Sequence, residues 1–354
     1  MTQPVLSAAR ADIARQPDVL AGLLAAGDRF LAAGGSLAPL RGRLFVAGCG
    51  DGLFAAEAAA GLAARLGLAW RAIGALDLLL MAGQLTEDDR VIAVSMSGNV
   101  DRTVEAAAAA AARTDVLALV NGRGGRLAGV ARQTLSLDLD DIAPFLCGTA
   151  SYTATLAALM LIAAGAAGRA EAAAMLRPLP AAMAVALAKP IAAAPPTGVR
   201  LLSAGAHAGT VRYGAAKFVE LTRIPAWAGD LEEFAHSQYW AMPVTDLVVV
   251  VASDPLLAAR AAESCEALGR LGVATLAIDA EDAPVPTAAA RVTLPALDPA
   301  IAPLAAAVPL QRLAHDLAEA TGLDPATRLH LKNDEARFRV SRLLTRRSLV
   351  GTGQ

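Results

Sequence analysis

The chain has 354 residues, of which 55% are hydrophobic and 18% charged, enough material for two ordinary domains with packed cores. A formal net charge of −2 and an aromatic content of 4% exclude the basic or base-stacking surfaces that nucleic acids need. A small molecule is therefore the expected ligand, with no nucleic-acid or membrane partner.

In chain order, the first twenty residues form a segment of their own, with acids interspersed and no apolar core of a signal peptide. Three short apolar runs follow, "LFVAG" (44–48), "RVIAVSMS" (90–97) and "DVLALVN" (115–121), with the character of buried parallel strands. Alanine-rich helical stretches at 53–67 and 101–115 lie between them, which is βαβ alternation. The most apolar run, "TLAALMLIAAGAAG" (155–168), is too short for a membrane span and is expected as a buried helix. A helical stretch and the proline-rich "AKPIAAAPPTG" (188–198) then mark a junction.

The same order recurs afterwards. "VRLLSAG" (199–205), "DLVVVVAS" (246–253) and "VATLAI" (273–278) end 157, 156 and 157 residues after their counterparts (205 − 48, 253 − 97, 278 − 121). The expected fold is α/β: two tandem doubly wound, flavodoxin-like parallel-sheet domains, each a three-layer α/β/α sandwich. The expected divisions are an N-terminal segment 1–20, a first domain 21–168, a junction 169–198, a second domain 199–320 and a tail 321–354.

In an open α/β sheet, ligands bind beyond the carboxyl ends of the strands, so the loops there are the candidates. After the first strand comes "GCGDG", with Gly48, Gly50 and Gly52. It departs from the G-x-G-x-x-G of dinucleotide sites, and no second strand ending in an acid is readable beyond it. After the second apolar run, "SMSGNVDRT" (95–103) sets Ser95, Met96 and Ser97 before a Gly-Asn turn and a helix holding Thr103. Hydroxyls and free N–H groups at a helix start suit an anion; equally, Ser97 or Asn99 would serve as a plain helix cap. The third loop, "NGRGGRLAGVA" (121–131), offers Arg123 and Arg126 as anion partners or as solvated charges.

In the second half, "GTVRYGAAKFVEL" (209–221) reads as a helix with Glu220 near its C-terminal end. "TRIPAWAGDLEEFAHSQYWAM" then reads as a turn, broken by Pro225 and Gly229, into a short helix. There Glu232 and Glu233 lie four and three residues before His236, so either acid can orient the imidazole. Taken singly, His236 also reads as a packed residue and Glu220 as a surface carboxylate.

Together these motifs resemble the sugar isomerase (SIS) superfamily, and in particular its tandem two-domain enzymes: the isomerase half of glucosamine-6-phosphate synthase, the amino-sugar phosphate deaminases and the bacterial phosphoglucose/phosphomannose isomerases. The family's serine loop, S-x-S-G-x-T-x-x-T, reads here "SMSGNVDRT"; its Glu and the His sixteen residues later match Glu220 and His236, with Glu233 at the acid three before the His. "CGTASYTATLAALML" (147–161) looks like the helix that closes the first domain. "LDPATRLHLK" (323–332) looks like the family's tail, placing Lys332 at its active-site lysine. The resemblance implies a sugar (phosphate) isomerase or deaminase with no cofactor. Glu220 would move the proton, His236 would open the ring, Lys332 would polarise a carbonyl or enediolate, and a homodimer would share its sites. It implies substrate binding by Gly50, Gly52, Ser95, Met96, Ser97, Val100, Thr103, Arg126 and Glu233. Some members of the superfamily only bind a sugar phosphate to regulate a partner, and that is the alternative. Two departures bear on the anion: Gly52 stands where the family carries Ser or Thr, and Val100 replaces the serine loop's Thr. Each bond lost to a charged group is worth ~1.5–3 kcal/mol.

Cys49, Cys147 and Cys265 are odd in number and widely spaced, which fits a reducing, cytoplasmic setting and neither disulfides nor zinc. The four histidines, His207, His236, His315 and His330, show no metal-ligand spacing. The basic C-terminal stretch from Arg337 onward carries no functional reading.

Overall fold

A computed structural model describes residues 7–38, 41–122, 124–143, 146–324, 333–345 and 347–350. Lys332, His330 and Arg123 lie outside the described residues. The chain forms two five-stranded, wholly parallel sheets, each in its own compact unit. The first comprises β1 (Leu44–Gly48), β2 (Trp70–Gly74), β3 (Arg90–Val94), β4 (Val116–Val120) and β5 (Gln133–Ser136), in the order β2-β1-β3-β4-β5. The second comprises β6 (Val199–Ser203), β7 (Ala226–Asp230), β8 (Leu247–Val251), β9 (Ala274–Ala280) and β10 (Ala290–Leu294), in the order β10-β9-β8-β6-β7. Counted from its own first strand, each sheet reads 2-1-3-4-5, the doubly wound order.

The six central strands are the six apolar runs picked out in the sequence. β1, β4 and β8 are buried at every position, as strands covered by helices on both faces must be. The edge strands went unread. β2 is only half-buried along its length, and it stands where no second strand ending in an acid was readable; it ends in Gly74. β7 corrects the reading of 222–242: Gly229 lies inside a strand that pairs with β6, Leu202 opposite Gly229, rather than breaking the chain into a turn.

Both sheets are tied at the amino ends of their strands by the same ion pair. Arg43 reaches Asp89 at 2.8 Å, and Arg200 reaches Asp246 at 3.1 Å, 157 residues further on for each partner (200 − 43; 246 − 89). The guanidinium of Arg43 and the Thr86 and Arg43 backbone N–H groups hold the buried Asp89 carboxyl far below its usual range.

The first-sheet unit takes in Ala21–Asp140, Ser151–Leu176 and the C-terminal helix Glu335–Thr345. The helix Ala150–Ala166, apolar all round, is buried along almost its whole length, as its composition requires. The second-sheet unit takes in the chain as far as Leu20, Asp141–Ala150 and, among the described residues, Arg177 to Asp324. Ala170–Ala188 is the one stretch among the described residues long and apolar enough to cross a membrane. It is not one continuous α-helix: a 3-10 segment ends at Leu176, and Pro178 precedes the helix Leu179–Ala188, which buries Leu179, Ala182, Met183 and Ala186.

Candidate functional site

In the first-sheet unit, the loops after β1 and β3 flank the switch point of the strand order. Gly50 has φ +54° and ψ −125°, a conformation only glycine enters without strain, and it starts the helix Asp51–Arg65. Gly52 is buried, and a Cβ there would meet Val94 Cγ1 and Val94 O at 3.1 Å. The hydroxyl-bearing side chain expected by resemblance at this position therefore has no room until Val94 moves.

The serine loop forms between β3 and the helix Asp101–Ala111. Val100 is the N-cap and no side chain bonds the first helical N–H groups, so the capping role weighed for Ser97 and Asn99 does not hold. Ser97 Oγ accepts from Asn99 N at 3.2 Å, and Asn99 Nδ2 donates to Ser97 O at 2.8 Å, closing a tight turn on itself. Ser95 is 5% exposed, and its Oγ has no partner among the described residues. A buried, unsatisfied hydroxyl costs about 1–3 kcal/mol until something bonds it. Thr103 is buried with its Oγ1 3.7 Å from Cys49 Sγ, and Met96 Sδ lies 3.3 Å from Thr155 Oγ1.

Gly125 of the third loop serves packing. A Cβ on Gly125 would stand 2.7 Å from Gly98 Cα and 2.7 Å from Ser97 O. The close approach lets Leu127 N bond Gly98 O and Asn121 N bond Met96 O, both at 2.9 Å. Arg126 is committed internally: it pairs with Asp101, and its Nη2 donates to Asn99 O at 2.7 Å. The C-terminal segment also reaches this helix. Arg102 Nη2 donates to Arg347 O at 2.9 Å, and Leu349 N donates to Glu105 Oε1 at 3.1 Å.

In the second-sheet unit, Glu220 sits in the last turns of the helix Ala208–Thr222. One turn earlier, Lys217 Nζ lies 3.2 Å from Glu220 Oε1 and 3.1 Å from Oε2. Cys147 donates its S–H to Oε2 at 3.1 Å. The Lys217 side chain is 1% exposed and that of Glu220 31%, so the carboxylate is fixed from the protein side and open on the other. Sequence reasoning missed both Lys217 and Cys147. The K-x-x-E spacing on a helix was available as a signal; the Cys147 contact, 73 residues distant, had none.

The chain just after Cys147 is fastened by a buried polar network. Tyr213 OH donates to Gly148 O at 2.8 Å, and Gln311 Nε2 donates to Tyr213 OH at 2.9 Å. Gln16 Nε2 in turn donates to Gln311 Oε1 at 2.6 Å. Asp12 accepts from Thr149 Oγ1 and, at 3.0 Å, from Ala150 N. Satisfied networks of this kind rigidify what they hold.

His236 ends the six-residue helix Leu231–His236, which Asp230 caps by accepting from Glu232 N and Glu233 N. The imidazole is 68% exposed, and its Nε2 lies 3.2 Å from Glu232 Oε1. Of the two acids expected to orient it, Glu232 does so; Arg260 Nε meets the other oxygen of Glu232 at 2.6 Å and holds that carboxyl below its usual range. The second sheet's own switch point is shut. His207 Nε2 lies 2.6 Å from Ser253 Oγ, beside a cavity of about 10 Å³, room for roughly one water.

One histidine–acid cluster forms at His315, Asp316 and Glu319. Its positive charge is already supplied by Arg10, whose Nη2 lies 2.6 Å from Asp316 and 3.3 Å from Glu319.

The chain has two doubly wound α/β units, with polar, glycine-bearing loops at a switch point in one and a braced carboxylate in the other. The SIS domain family model matches residues 37–165. No curated protein matches it in sequence. Among solved structures, it is similar to the C-terminal domain of glucosamine-fructose-6-phosphate aminotransferase from Francisella tularensis, with TM-score 0.75 and 16% identity over 92% of this chain and 99% of that one. It is similar to tagatose-6-phosphate ketose/aldose isomerase from Escherichia coli, with TM-score 0.74 and 21% identity over 92% and 97%. It is also similar to glucosamine-6-phosphate deaminase from Thermotoga maritima, with TM-score 0.73 and 19% identity over 90% and 97%. At these identities the likeness establishes the fold, which for both units is the SIS-type sandwich.

Proposed function

We propose that the protein is a sugar-phosphate aldose–ketose isomerase or amino-sugar phosphate isomerase/deaminase. The observation that carries this reading is the Glu220 carboxylate, gripped by a buried ammonium yet open on its outer side. Moving a proton between C2 and C1 through a cis-enediol needs one such carboxylate on one face of the sugar, held still and accessible. Lys217 keeps both oxygens of Glu220 in charge-assisted hydrogen bonds, so the carboxylate does not have to be reordered at each turnover. His236, exposed on its short helix, is the group for ring opening, and Lys332 that for polarising the carbonyl or enediolate. In a deaminase the same groups expel an amine.

The serine loop, taken by itself, is assigned to an anion. It has an unpartnered Ser95 hydroxyl and a helix start whose N–H groups no side chain caps. With Gly52 and Val100 lacking hydroxyls, the anion is held mainly by backbone and Ser95. The homodimer expected from the resemblance belongs to this reading, as does a cytoplasmic setting.

The test is solvent-deuterium incorporation at C1 of fructose 6-phosphate and tagatose 6-phosphate, at C2 of glucosamine 6-phosphate, and at the same carbons of their unphosphorylated forms, with wild type and Glu220→Gln. Incorporation into one sugar by wild type alone establishes the reading and identifies the substrate. Binding without exchange replaces it with a non-catalytic, regulatory sugar-phosphate binder.

A further inference from the structure

Two of the three cysteines are buried, and they are buried differently. Cys265 is fully enclosed in the helix Pro255–Arg270, and burial pushes its thiol up to about 11, as for an inert small hydrophobe. Cys147 is 2% exposed, yet its sulfur lies 3.1 Å from Glu220 Oε2. That is hydrogen-bond distance for sulfur, on the carboxylate that Lys217 already grips.

The contact is built rather than incidental. The three residues after Cys147 are each tied down: Gly148 O by Tyr213, Thr149 by Asp12 and Gln311, and Ala150 N by Asp12. Three side chains from three separate stretches of the sequence thus fix the sulfur's place against the end of the helix Ala208–Thr222. A methyl group would fill the same space but offer no donor, and a carboxylate pays for each donor it lacks in a partly dehydrated site.

We propose that Cys147 is a positioning residue for Glu220. Its S–H donates to Oε2 and, with Lys217, holds the carboxylate in the one rotamer from which it transfers protons. This rests on the reading of Glu220 as the proton-transfer base. The donor favours the charged carboxylate, so its loss raises the pH at which the base becomes active. Ser in place of Cys keeps a donor of similar size at the same position.

The experiment compares wild type, Glu220→Gln, Cys147→Ala and Cys147→Ser in solvent-deuterium exchange on the phosphorylated panel sugars, recording kcat, KM and the pH profile. Alongside it, infrared spectra of the S–H stretching band, a region other protein groups leave empty, are taken for wild type and Glu220→Ala, with Cys147→Ser subtracted to isolate the Cys147 band. The expected result has four parts. Glu220→Gln is silent; Cys147→Ala loses about two- to tenfold in kcat with KM held and its acid limb moved to higher pH; Cys147→Ser restores both; and the Cys147 band shifts when Glu220 is removed. A silent Glu220→Gln beside a Cys147→Ala indistinguishable from wild type overturns the inference and leaves the base in place. An S–H band indifferent to Glu220 also overturns it. If Glu220→Gln exchanges as well as wild type, or no sugar exchanges at all, the reading of the base fails and takes the inference with it.

Discussion

Lys217 and Glu220, one helical turn apart, form a pair in which the buried ammonium lies within 3.2 Å of both carboxylate oxygens while the carboxylate keeps an open side. A buried lysine is tolerated only where its charge is answered, and the Glu220 carboxylate answers it here. Replacing Lys217 by Met keeps the volume and removes the grip. The expected loss is about 10- to 100-fold in kcat, the worth of one to two hydrogen bonds to a charged group, with KM little changed. A double variant with Glu220→Gln should be no worse than Glu220→Gln alone, because the lysine acts through the acid. Steady-state exchange kinetics on the four proteins decide this.

Gly125, in the loop after β4, has the serine loop pressed against it. Gly125→Ala puts a Cβ 2.7 Å from the backbone of Gly98 and Ser97, whereas Gly122→Ala meets nothing within 4 Å. Gly125→Ala should therefore push the serine loop outward, costing about 1–3 kcal/mol in stability and weakening sugar-phosphate binding. Gly122→Ala should leave both unchanged. Urea unfolding and calorimetric titration distinguish the pair.

His207 makes stability pH-dependent in one direction. Burial lowers it from 6.5 to about 4 in the folded chain. Between those values the unfolded chain binds the proton and the folded chain does not, so folding weakens as pH falls from about 6.5 toward 4 and is unaffected above that window. The full span is worth about 3 kcal/mol. Urea midpoints at pH 7.5 and 5 should differ for the wild type, and the difference should shrink for His207→Gln. An undiminished slope in that variant would assign the titration to another group.

Thiol chemistry should be selective. Cys49 is exposed, whereas Cys147 and Cys265 are buried and Cys265 is raised to about 11. Iodoacetamide at pH 8 should modify Cys49 in the folded protein and all three cysteines only after denaturation, read by peptide mass spectrometry.

Sequence alone determined the two-sheet plan. Apolar runs such as "LFVAG" and "LVVVV" can only be strands covered on both faces, and their recurrence at a near-constant offset calls for two similar sheets. The helices that carry Glu220 and His236, and the helix that starts after the serine loop, were also legible, since those signals are local. The edge strands β2, β5, β7 and β10 were not, because a strand paired on one side is half-exposed and loses the apolar signature. The tertiary structure alone decided which side chains meet. Arg126 could have faced a ligand but pairs with Asp101, Glu232 rather than Glu233 holds His236, and Cys147 lies against Glu220 from 73 residues away. Sequence spacing encodes which groups share a helix face or a strand end. Contacts between distant segments depend on strand order and on the polar network that pins each loop, and those exist only once the chain has folded.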